Sequence, residues 1–108
     1  MNRGEIRWYN FRPPDKRRPV LILTRDSAIE FLTGITVAPI TSTVRNIPTE
    51  VLLLPDEDGV LTESAVNLDN LQTIQKSKLG GLITILPPDK MTSVDNAICF
   101  ALGIDTNM

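Results

Sequence analysis

The chain of 108 residues carries 11 Lys/Arg, 13 Asp/Glu and no histidine, with 42% hydrophobic and 22% charged residues, which predicts one domain over 1–108 with one modest core. The missing imidazole excludes His–Ser and His–Cys nucleophilic systems and histidine metal sites, and the single Cys99 excludes an internal disulfide and a structural zinc site. No apolar run approaches a membrane span and the opening MNRGEIRWYN has no signal-peptide apolar core, so a cytoplasmic protein without a membrane partner is expected.

In chain order, Ile6 and Trp8 alternate with Arg7 in EIRWYNF, the pattern of a half-buried strand, closed by Pro13-Pro14. PVLILT, from Pro19 to Thr24, is an apolar run too short for a helix, and Pro19 can begin a strand without breaking its ladder. Asp26 in DSAIEFL offers an N-cap for a turn or two of helix. GITVAPIT predicts a strand ending near Pro39, and TEVLLL another from Thr49. PDEDGVL supplies a turn at Asp58-Gly59, and its acids lack calcium-loop spacing. SAVNL, DNLQTI and LITIL complete six or seven short strands. After Pro87-Pro88 the period changes: Met91, Val94, Ile98, Ala101 and Leu102 share one helical stripe, with Gly103 as its C′ residue. That helix should cover an open face or edge of the sheet, or meet a partner subunit. Cys99, inside the apolar AICFAL, reads as a packed thiol; Trp8 and Tyr9 can stack on bases, but Trp8 reads as a core residue. The predicted fold is mainly β with helices (α+β): one small, strongly curved β domain with a short internal helix and a C-terminal one.

Charge is distributed unevenly. Residues 1–25 hold seven of the 11 Lys/Arg against two acids, whereas the remainder holds four against 11. This is a local polyanion-binding face on an otherwise acidic body, or a solvated loop with scattered charges.

Three segments are candidate sites. In KRRPVLIL, Arg18 presents a planar fork suited to phosphate and Lys16 a point charge; the plainer role for Arg18 is an ion pair with Asp15. In APITSTVRN, the hydroxyls of Thr41, Ser42 and Thr43 follow a strand end and Arg45 adds charge. Such hydroxyls donate to a phosphate oxygen or developing oxyanion, or simply cap the turn. In NLDNLQTI, Asn67, Asp69, Asn70, Gln72 and Thr73 alternate with apolar residues. Their amides suit the edges of unpaired bases, or the exposed face of a strand.

The ordered set RGEIRW, RRPVLIL, VAPITS, PTEV, DGVLTESAVNLDNLQTI, KSKLG and a closing helix ending ALGI resembles the MazF/PemK-type toxins of bacterial type II toxin–antitoxin modules over nearly the whole chain. The resemblance implies an SH3-like, CcdB-like curved barrel that forms a homodimer, with a cognate antitoxin as partner. It also implies an endoribonuclease that cuts single-stranded RNA, often mRNA, at short sequences without a metal or other cofactor. The family's catalytic arginine falls on Arg18 and its catalytic threonine on Thr41. The same resemblance points to Lys16, Arg17, Ser42, Gln72 and Thr73 as RNA contacts. The chain departs from many relatives in a short, proline-stiffened RPPDKR loop and in Gln72, where a cation is usual. Two other classes remain beside this one: a non-enzymatic CcdB-like toxin that binds DNA gyrase, and a catalytically inactive barrel or adaptor.

Overall fold

The computed structural model describes residues 1–14 and 16–105. Seven strands are present: β1 Glu5–Asn10, β2 Arg17–Ile22, β3 Gly34–Thr41, β4 Glu50–Leu53, β5 Ser64–Asn67, β6 Gln72–Gln75 and β7 Leu82–Ile85. Between them lie two single-turn helices, α1 Asp26–Ile29 and α2 Pro55–Asp58, and α3 Pro88–Leu102 closes the chain. The strands form one curled antiparallel sheet in the order β4-β5-β3-β2-β1-β7, with β6 also paired to β3. β3 is the hub: its first half pairs β6 from Gly34↔Gln75 to Val37↔Gln72, and its end pairs β5 at Ile40 and Thr41.

The apolar run of β2 has no polar alternation because both of its faces are buried. Leu21 points into a core with Ile6, Ala38, Ile40, Leu53 and Val66, closed by Val94 and Ala97 of α3. Val20 and Ile22 point the other way, onto Ile29, Ile35, Val37 and Ile74. Helix α3 packs on β4 as a cover, as its periodicity predicts. Met91, Ile98 and Ala101 pack against the first core, but Leu102 is 59% exposed. At 100° per residue it lies about 80° around the helix from Val94, on the margin of the stripe. Gly103 ends α3 in the left-handed conformation, with φ 70°. Cys99 is half-buried on this helix.

Several boundaries differ from expectation. β2 begins at Arg17 because the Asn10↔Arg17 pair draws the basic residues into the ladder. β3 runs past Pro39 to Thr41 because β5 resumes the pairing beyond the proline. Asp26 does not cap α1. Arg25 occupies that position, and the Asp26 carboxylate accepts the Arg3 N–H at 2.7 Å instead. The expected Asp58-Gly59 turn is the end of α2. Gly59 has φ 74°, and a Cβ there would come 2.5 Å from Thr84 Oγ1, so only glycine lets α2 close against β7.

Asp58 joins two layers. Its side chain is 1% exposed, accepts the Leu54 N–H at 2.9 Å and lies 3.4 Å from Lys90 Nζ of α3. Lys90→Met keeps the stem but leaves this carboxylate buried without its cation. Lys90 is itself partly solvated, so the expected loss is about 1–2 kcal/mol, read as a lower midpoint in urea.

Candidate active site

The basic end of β2 opens on a cleft of about 360 Å³. β2 supplies Arg17, Arg18 and Pro19, the preceding loop Lys16, and the end of β3 Ile40, Thr41 and Ser42. Ile6 and Trp8 of β1 and Ile83 of β7 also line it, and Val60, Leu61, Thr62 and Ser64 form the wall between α2 and β5. Among the described residues, no acid lines the cleft. Lys16, Arg17 and Arg18 are exposed and form no ion pair among the described residues. Asp15, the alternative partner for Arg18, lies outside the described residues. Three cations without carboxylate partners give the cleft a positive potential over an apolar floor.

Register explains how the sequence positions Arg18 and Thr41. β2 and β3 pair Ile22↔Val37, Leu21↔Ala38 and Val20↔Pro39. Continued by two residues, that register sets Arg18 opposite Thr41. Both residues line the cleft, at the ends of neighbouring strands. Thr41 Oγ1 accepts the Thr43 N–H at 3.1 Å. This local bond occupies an acceptor site on the hydroxyl and leaves its O–H free to donate. A guanidinium fork and an oriented hydroxyl at neighbouring strand ends are suited to an oxyanion or a phosphate.

The structure therefore brings together Lys16, Arg17, Arg18, Thr41 and Ser42. Gln72 and Thr73 are not in the cleft: they pair with Val37 and Thr36, four and five residues back along β3 from Thr41, about 13 and 17 Å at strand rise. Trp8 is not a core residue. It is half-buried and lines the cleft, with the Arg17 guanidinium 4.3 Å from its ring centre. The sequence reading also missed Ser64, which is 5% exposed, lines the cleft and makes no side-chain hydrogen bond among the described residues. Its only sequence signal was a serine opening an apolar strand.

Comparison with known proteins decides the family. Residues 2–102 match the model of the "PemK-like, MazF-like toxin of type II toxin-antitoxin system". The chain belongs to this family of toxins. It is 38% identical to the probable endoribonuclease MazF5 of Mycobacterium tuberculosis over 102 residues, 94% of this chain and 89% of that one. Among solved structures, the Mycobacterium tuberculosis toxin MazF-mt6 superimposes with a TM-score of 0.84 at 40% identity, covering 94% of this chain and 98% of that one. A mycobacterial endoribonuclease in complex with its cognate antitoxin gives a TM-score of 0.86 at 27% identity, covering 97% of each. The curved β fold with its C-terminal helix is thus that of the MazF toxins, and the endoribonuclease class takes precedence over the gyrase-binding one. Among the described residues, no helix is long and apolar enough to cross a membrane.

Proposed function

We propose that this toxin cleaves single-stranded RNA in the cleft between β2 and β3, with Arg18 and Thr41 as its catalytic residues. It is an endoribonuclease of the MazF class, and the observation that carries the site assignment is that Arg18 and Thr41 line one cleft with no acid among its described residues. The RNA's own 2′-hydroxyl attacks phosphorus, the bond to the 5′ oxygen breaks, and the products carry a 2′,3′-cyclic phosphate and a 5′-hydroxyl. The 2′-hydroxyl proton passes to solvent and the leaving oxygen gains one. Arg18 neutralises charge on the phosphorane-like transition state, and Thr41 donates to a non-bridging oxygen, an interaction worth about 3 kcal/mol at a preorganised site. Proton donation by Arg18 is secondary, because a guanidinium releases protons poorly near neutrality.

Lys16, Arg17 and Ser42 hold the backbone on either side of the cut, and Gln72 and Thr73 serve RNA further along β6. The working form is a cytoplasmic homodimer, and a cognate antitoxin occupies the basic cleft with an acidic, largely disordered segment. No step uses a metal. Cleavage of a long, mostly unpaired RNA is therefore expected to proceed undiminished in EDTA and to leave discrete products with 5′-hydroxyl ends. Absence of cutting across varied RNA sequences, or 5′-phosphate ends, would overturn this mechanism.

A further inference from the structure

Beyond the Arg17–Trp8 wall lies a second pocket, of about 300 Å³, lined by Trp8, Tyr9, Asn10, Arg17, Lys78 and Gly80. Trp8 and Arg17 line both spaces, so the pocket adjoins the cleft across these two side chains. Two features fix its shape. Gly80 donates its N–H to Trp8 O at 2.7 Å, and a Cβ at Gly80 would approach that strand to 3.3 Å, so the 3-10 turn at Lys76–Lys78 is held close to β1. Asn10 lies opposite Arg17 in the ladder and shares the alternation of Trp8.

The lining chemistry is that of a nucleotide site. Arg17 and Lys78 are cations without ion-pair partners among the described residues, and both are exposed. Asn10 is an exposed amide that makes no side-chain hydrogen bond among them, so its donors and acceptor are free for a base edge. The Trp8 ring adds apolar surface against which a base can lie. We propose that this pocket holds a nucleotide flanking the cut, with its phosphate between Arg17 and Lys78 and its base edge read by Asn10. The inference rests on RNA cleavage in the main cleft. It adds a specificity determinant on β1 and the 3-10 turn, outside the residues that do the chemistry.

The stacked cation also gives the test its signal. Trp8 is the sole tryptophan of the chain, so its emission reports the Arg17 contact directly. The probe is RNA with 2′-deoxyribose at a mapped cut site, which lacks the attacking hydroxyl. It is made in two lengths: a dinucleotide spanning the cut, and the same site flanked by about four nucleotides on each side. Wild-type protein is expected to bind the longer RNA about tenfold more tightly than the dinucleotide, with a change in Trp8 emission beyond the one the dinucleotide produces in the cleft. Lys78→Gln and Asn10→Ala, both at exposed positions, should remove most of that gain. Lys78→Gln should also reduce the salt slope of the longer RNA by about 0.7. Equal affinity and salt slope in wild type and both variants, with the longer RNA still bound, would overturn the subsite and leave the cleavage reading standing. Failure of wild-type protein to bind either RNA would overturn both.

Discussion

Replacing Arg18 with alanine should abolish RNA cleavage while the protein stays folded. Arg18 is exposed at the mouth of β2 and makes no ion pair among the described residues, so the fold loses little and the melting temperature should stay within about 3 °C. In the proposed mechanism the variant lacks the main positive charge at the transition state, so single-turnover cleavage should fall about 10³-fold or more. Arg18→Lys separates charge from geometry. It keeps the charge but loses the planar fork, so activity should recover only in part. The measurement is the rate of cyclic-phosphate formation on a defined RNA in EDTA. A fully active, folded Arg18→Ala protein would remove this residue from the mechanism.

The second large effect is at Thr41. Thr41→Val preserves shape and β-branching but removes both the hydroxyl donor and the acceptor of the Thr43 N–H. A loss of about 10²-fold in the chemical step is expected, with RNA affinity changed far less, because the hydroxyl is proposed to act on charge that develops in the transition state. Thr41→Ser restores the oxygen and should recover most of the rate. A variant that loses affinity but keeps its single-turnover rate would instead make Thr41 a ground-state binding residue.

The sequence carried the cleft only where it lay at the ends of strongly patterned strands. The apolar run after Arg18 and the strand leading to Thr41 are both legible, and their register then follows from burial. Gln72 and Thr73 were read as RNA contacts on a segment of their own, since amides and hydroxyls suit RNA equally well anywhere on a surface. Which half of β3 they pair with depends on long-range pairing that local pattern does not encode. The same holds for the wall from Val60 to Ser64, which reaches the cleft only because β5 takes over the pairing of β3 beyond Pro39. Trp8 was misread because alternation gives the face of a strand and not where the cover over that face stops. At Ile6 the face is core, and two residues on it opens into the cleft. The helical stripe of α3 was legible to its last turn, where Leu102 falls off the buried arc.

The burial of β2 and β3 on both faces also bears on motion. Amides of Val20–Ile22 and Val37–Ala38 are shielded above and below and should exchange with deuterium only when the whole domain opens, whereas the exposed stretch after Thr41, from Ser42 to Pro48, should exchange within its own local fluctuations. Arg18 and Thr41 sit at the boundary of these two regimes. Their backbones continue from the slowest strands, while the loop after Thr41 is expected to fluctuate locally beside them. Warming should therefore loosen the loop after Thr41 well before it loosens the strand ends that carry Arg18 and Thr41.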